Sequence, residues 1–96
     1  MSAKRKFLET VKKKLDAWKI DVERLQANAH RIGREDMGRY SAAVQDILAR
    51  IQRVEKLFTV DDRSSAETWQ TLKAHVEAGC RDIEAQIRQV RREFSL

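Results

Sequence analysis

The residues of this sequence that could ligate a soft metal ion are His30, His75 and Cys80. They form no His-Glu-x-x-His, Cys-x-x-Cys or Glu-x-x-His group, which are the spacings of zinc and di-iron sites on helices. Cys80 falls on an apolar helical position, where a buried thiol packs as a small hydrophobic group. We therefore expect no metal site and no cofactor, and a structural role for all three side chains.

The carboxylates offer no better basis for catalysis. No nucleophile–base group, glycine-rich phosphate loop or recessed carboxylate pair can be built from this sequence. Pairs such as Glu9 and Lys13, four residues apart, are typical of an exposed helix face, where each stabilises the helix by about 0.2–0.5 kcal/mol. We expect a protein that is not an enzyme and has no small-molecule substrate.

Positive charge is concentrated in the first third of the chain. Residues 1–34 have ten basic and four acidic side chains, whereas 35–63 have five and six, and 64–96 have five and five. Such an asymmetry indicates either the flanks of a coiled coil or a surface for a polyanion, which is a nucleic acid or an anionic membrane. The possible anion-binding residues are Lys4, Arg5, Lys6, Lys12, Lys13, Lys14 and Lys19.

Helices are the elements that must position these side chains. Apolar residues recur alternately three and four apart from Leu8 to Ala29, from Met37 to Phe58 and, with one extra step of four, from Trp69 to Phe94. With 36% charged and 6% aromatic residues, this spacing predicts an all-α protein with a single helical domain over residues 1–96. We expect Trp18, Trp69 and Tyr40 to pack in the core or at an interface, with the Tyr40 hydroxyl at the rim.

The two connections between the three apolar stretches carry different sequence signals. Ser64-x-x-Glu67 is a capping box, which predicts a loop at about 59–63 and a helix over about 64–94. The stretch 31–40 contains Gly33 and Gly38, and there a continuous helix over about 3–58 is the preferred interpretation. The two glycines cost about 2 kcal/mol together, and the apolar spacing continues across them with a single four-residue stutter.

The alternative is a break at 33–36, with Asp36 as the cap of the next helix. The chain would then form a monomeric three-helix bundle with a turn near Gly33.

A continuous first helix leads to a long antiparallel hairpin, or coiled coil, whose first half has no intramolecular partner. Another subunit would have to cover that half, which predicts a homo-oligomer, most simply a dimer that forms a helical bundle. The function expected is that of a structural or protein-interaction module that self-associates, and the alternative is polyanion binding. The predicted self-association interface consists of Leu8, Val11, Leu15, Trp18, Val22 and Leu25.

Residues 12–29 (KKKLDAWKIDVERLQANA), Tyr40 and residues 66–79 (AETWQTLKAHVEAG) resemble a group of short bacterial coiled-coil proteins. The resemblance lies in a Lys-Leu-Asp-x-Trp opening and in a Trp-x-x-Leu-Lys-x-x-Val-Glu start to the final helix. It implies a long helix followed by a shorter antiparallel one, and it implies no catalytic residues.

The expected compartment follows from two features of composition. A single cysteine excludes an intrachain disulfide and is typical of a reducing compartment. No stretch has the apolar length of a secretory signal or of a membrane span. We expect a cytoplasmic protein.

Overall fold

Three α-helices make up most of this protein in the computed structural model, which describes residues 3–59 and 66–96. Helix α1 spans Ala3–Ala27, α2 spans Met37–Thr59 and α3 spans Ala66–Glu93, and a 3-10 segment at Asn28–Arg31 follows α1. No strand occurs in the described ranges. The prediction of an all-α protein is confirmed.

Helices α1 and α3 run parallel to each other, and α2 runs antiparallel to both. Phe7 contacts Trp69 where α1 and α3 begin, and Asp21 pairs with Arg91 towards their ends. The bundle measures 50 × 19 × 18 Å.

The core consists of one apolar stripe from each helix, on the spacing that the sequence predicts. Residues three and four apart lie on one side of a helix, so three such stripes bury one another. Most of the residues in the predicted stripes are buried, namely Val11, Leu15, Trp18, Val22, Leu25, Tyr40, Val44, Ile47, Ile51, Val54, Val76, Cys80, Ile83, Ile87 and Val90.

The chain reverses direction between α1 and α2, so the preferred prediction of one continuous helix over residues 3–58 is wrong. Such a helix would be about 84 Å long at 1.5 Å per residue, whereas the longest dimension of the bundle is 50 Å. The observed break covers residues 28–36. It agrees with the alternative of three helices and a turn near Gly33.

The break is made by backbone hydrogen bonds rather than by glycine conformation. Ile32 is extended (φ −91°, ψ 130°), which ends the 3-10 segment. The Asp36 amide donates to the Gly33 carbonyl at 2.9 Å, and the Tyr40 amide donates to the Asp36 carbonyl at 2.8 Å. Asp36 thus opens α2, as the alternative predicted. Neither Gly33 nor Gly38 has a positive φ, so the break does not require the left-handed region that favours glycine.

The apolar strip of α1 lies in the core of its own chain, which corrects its assignment to an interface between subunits. Folding back on α2 and α3 buries this strip without the entropy cost of association. Leu8 is half-buried. The other predicted interface residues are at most 8% exposed: Val11, Leu15, Trp18, Val22 and Leu25. Self-association stays a prediction, but this buried strip is not the surface through which it would occur.

The predicted loop at about 59–63 and the Ser64–Glu67 capping box fall largely outside the described residues. Thr59 is the last residue of α2, and α3 is described from Ala66. The helix predicted to end at about residue 94 ends at Glu93.

Candidate polyanion-binding face

The seven basic residues predicted to bind anions lie on α1, but the helix distributes them around its circumference. Lys19 lies on the side that faces α2, where it forms an ion pair with Glu55. This hydrogen bond raises the pKa of Lys19, against a smaller opposing effect of burial. Lys12 and Arg5 precede Lys19 by seven and fourteen residues and therefore share its side of α1. Arg5 also pairs with Glu9 at 3.5 Å.

The remaining lysines of this set point elsewhere. Lys14 lies on the side of α1 that faces α3, where it lines a hollow together with Cys80. Lys6 and Lys13 are exposed on the outer side of α1. Lys4 lies over the ring of Trp69, 5.5 Å from the centroid. The structure therefore does not bring the seven residues together as one patch.

Three arginines of α3 were missed by the sequence analysis. Arg81, Arg88 and Arg92 are spaced by seven and four residues, which places them in one strip, and all three are exposed. Within residues 3–59 and 66–96 none of them forms an ion pair or a side-chain hydrogen bond. The charge count of residues 64–96 concealed them, because that segment has equal numbers of acidic and basic side chains.

Two acidic residues of α3 face α2, whereas Glu77 and Glu84 line the same hollows as Arg81 and Arg88. Asp82 lies 3.7 Å from the Arg50 guanidinium, and Glu93 lies 3.0 Å from that of Arg39. Counting charges along the chain therefore gives a neutral segment, whereas counting them by face gives a basic one. Only the spacing of the arginines in the sequence could have indicated this strip.

Together, α1 and α3 form a continuous basic face. Lys14 and Arg81 line one hollow between the two helices, and Arg88 and Arg91 line the next. The face continues onto the outer side of α1 with Lys6, Lys13 and Arg24, which lie in one exposed strip because they are seven and eleven residues apart. We define the basic face by its exposed cations, which are Lys6, Lys13, Lys14, Arg24, Arg81, Arg88, Arg91 and Arg92.

The basic face also contains acidic side chains. Three carboxylates, Asp21, Glu77 and Glu84, line the same hollows as its cations. Four of the eight cations line these hollows with them, namely Lys14, Arg81, Arg88 and Arg91. Asp21 neutralises Arg91, at 3.3 Å. The remaining cations are free to contact an anionic partner.

Two hollows lie between α1 and α3. Each has a volume of about 200 Å³. Burial raises the pKa of the Cys80 thiol, with Glu77 and Glu84 acting in the same direction and Lys14 opposing them. The thiol is therefore protonated at neutral pH and packs as an apolar group.

Neither histidine lines the hollow that contains Cys80. His75 is exposed on α3, and Nδ1 of His30 lies 2.8 Å from the Ala27 carbonyl, to which it donates in the matching tautomer. Among the described residues no group of three or more His, Cys, Asp or Glu side chains is arranged to hold a metal ion.

The aromatic residues differ in their surroundings. Trp18 is in the core, as expected. Trp69 is half-buried, and its ring meets the Phe7 ring edge to face, with centroids 5.6 Å apart and an interplanar angle of 79°. The Tyr40 hydroxyl was expected at the rim, and it is buried instead, donating a hydrogen bond to the Leu25 carbonyl. Trp69 is therefore the indole with surface available to a ligand.

None of the helices, over the part of the chain described, combines the length and apolarity needed to cross a bilayer. No family model, curated protein or solved structure matches this chain.

Proposed function

We propose that this protein is a non-enzymatic binding module that holds a nucleic acid on the basic face. The observation that carries the proposal is the convergence of exposed, largely unpaired cations from two parallel helices, α1 and α3, on one side of the bundle. Phosphate contacts of this kind supply most of the affinity in sequence-independent binding, because each neutralised phosphate releases condensed counterions.

The two helices contribute different cations to this face. Lysines predominate on α1, where the ammonium group acts as a compact point charge. Arginines predominate on α3, where the planar guanidinium can hold a phosphate through two hydrogen bonds. Both kinds of contact position the backbone of a nucleic acid and carry no base sequence information.

A nucleic acid fits this face better than an anionic membrane does. A helix that lies in a membrane interface presents a broad apolar face beside its cations. In the described part of the chain the one large hydrophobic side chain that is strongly exposed is Ile20, at 50%. A face that offers charges but no broad apolar surface to insert into a bilayer favours the phosphate backbone of a nucleic acid over a membrane.

The proposal is tested by removing cations from the basic face and from elsewhere in equal number. The test variant is Arg88→Ala/Arg92→Ala, and the matched control is Lys12→Ala/Arg53→Ala, whose exposed cations lie outside the basic face. Binding to nucleic acid is measured between about 50 and 200 mM salt. We expect the test variant to reduce the slope of log K against log salt by about 2, and the control to leave the slope unchanged.

Two results would contradict the proposal. One is the absence of salt-dependent binding to any nucleic acid at low salt. The other is saturable binding to phosphatidylserine vesicles without binding to nucleic acid, which would assign the face to a membrane surface.

A further inference from the structure

An aromatic pair lies at the end of the basic face where α1 and α3 begin. The Phe7 and Trp69 rings meet edge to face, and both side chains are half-buried. Lys4 lies 5.5 Å from the centroid of the Trp69 ring, and Lys73 lies 5.5 Å from that of Phe7. The pair therefore combines two partly exposed aromatic side chains with two cations.

We infer that this pair is a stacking platform for an unpaired base, and that the nucleic acid bound by the protein is single-stranded. The inference rests on the proposed function and adds the substrate class to it. Aromatic side chains beside a positively charged track are the means by which proteins hold single strands without reading their sequence. The basic face is the track, and the Phe7–Trp69 pair is the platform.

Lys4 and Lys73 have one role in the free protein and another in the complex with a nucleic acid. Without a ligand, Lys4 and Lys73 interact with the rings through cation–π contacts, which are weak at an exposed site. A stacked base takes their place on a ring, because stacking on an aromatic side chain is the stronger interaction. The flexible lysine stems then carry the ammonium groups to the phosphates on either side of that base.

A duplex cannot use this platform, because its bases are stacked and paired inside the helix. A single strand can turn one base out onto the aromatic pair while its phosphates follow the basic face. The distance along α3 from Trp69 to Arg92 is about 35 Å at 1.5 Å per residue. This length suits a site of several nucleotides, within the range of about 4–16 seen for single-strand-binding domains.

The test compares Trp69→Leu, which keeps apolar bulk but removes the π surface, with Trp69→Phe, which keeps a stacking ring. Affinities are measured for oligothymidylate and oligouridylate of about 12 nucleotides and for a duplex of the same length. We expect Trp69→Leu to weaken single-strand binding about 10-fold and to leave duplex binding unchanged. Trp69→Phe should retain most of the affinity. The two oligonucleotides distinguish a DNA strand from an RNA strand.

Fluorescence gives a second readout on the unaltered protein. Trp18 is 8% exposed and lines the hollow that contains Arg88 and Arg91, so Trp69→Phe is titrated in parallel to give the response of Trp18 itself. The emission of Trp69 is obtained by subtracting the spectrum of Trp69→Phe, in which Trp18 is the single tryptophan. Stacking of a base should quench that difference spectrum as oligonucleotide is added.

The outcomes separate the two proposals. The stacking platform is wrong, while the basic face stands, if the difference spectrum does not change and Trp69→Leu either weakens single-strand and duplex binding equally or weakens neither. If neither form of nucleic acid binds at low salt, the proposed function itself is wrong.

Discussion

The hydroxyl of Tyr40 donates a hydrogen bond to the backbone carbonyl of Leu25, fifteen residues earlier in the chain. That carbonyl lies in the last turn of α1, where helix carbonyls lose their intrahelical donors. The Tyr40 ring also packs edge to face on Phe94, with centroids 4.9 Å apart. One side chain thus joins the end of α1, the start of α2 and the residue after α3.

Replacing Tyr40 by Phe should lower the free energy of unfolding by about 1–2 kcal/mol. The reason is that the substitution leaves the Leu25 carbonyl buried without this donor, while the ring contact with Phe94 is preserved. Urea denaturation followed by circular dichroism measures the change, and the slope with urea should be unaltered. Equal stability of Tyr40→Phe and the parent would contradict a role for this bond in holding the reversal.

Stability should fall at alkaline pH through the same residue. Burial raises the pKa of Tyr40 above its ordinary value of 10.0. Because the folded pKa is the higher one, the contribution of the neutral hydroxyl is complete below the unfolded pKa of 10.0 and is lost as pH rises through the folded pKa. Unfolding free energies measured from pH 8 upwards should therefore decline beyond about pH 10.

The Tyr40→Phe variant is the control for this alkaline loss and should show a smaller decline. Its residual decline has a second source, because the hydrogen bond with Glu55 raises the pKa of Lys19, and that contribution is also lost at high pH. A parent and a variant with identical pH profiles would show that folding does not raise the pKa of Tyr40.

A close contact between α2 and α3 makes Gly79 sensitive to substitution. A Cβ at this position would lie 2.6 Å from Cγ2 of Val54, which is 2% exposed and β-branched and so cannot easily move. Gly79→Ala should therefore destabilise the protein by about 1–2 kcal/mol, since overpacking outweighs the helix propensity that alanine gains. Thermal or urea unfolding measures the effect.

Val54→Ala provides the partner for a double-mutant cycle. In that background the methyl group of Gly79→Ala has space, so the same substitution should become neutral or stabilising, by up to about 1 kcal/mol. Additive effects of the two substitutions would mean that Gly79 is not limited by Val54.

Two adjacent lysines distinguish a basic face from a basic segment. Lys12 lies on the side of α1 shared with Lys19, whereas Lys13 belongs to the basic face. Lys13→Ala should weaken nucleic-acid binding and lower the salt slope by about 1, and Lys12→Ala should do neither. The measurement is a salt titration of binding for each single variant. Equal effects would favour the segment predicted from the sequence.

The sequence alone was sufficient to predict the class of fold and the buried side of each helix. Burial of an apolar residue depends on its helical phase, which the alternating spacing of three and four displays directly. Trp18, Ile51 and Ile83 are examples, since each falls in its predicted stripe and in the observed core. The position of Asp36 at the start of α2 was also predicted, by the alternative in which the first helix is broken.

The course of the chain after α1 was not visible in that spacing. An apolar stripe is satisfied by any partner of matching shape, so Leu15 and Val22 look alike whether another subunit or α2 and α3 cover them. The cost of Gly33 and Gly38 in a helix did not decide between the two arrangements. The tertiary structure decided it through contacts distant in sequence, chiefly the packing of the α1 stripe in one core with α2 and α3.

The candidate site depended on how the chain folds back after α1. The sequence determined which residues of α1 are basic, and it placed Arg81, Arg88 and Arg92 at helical spacing. Only the parallel packing of α3 beside α1 put those arginines next to the lysines, with Asp82 and Glu93 facing α2. A charge field is set by the orientation of whole helices towards one another, and the linear order of residues does not specify that orientation.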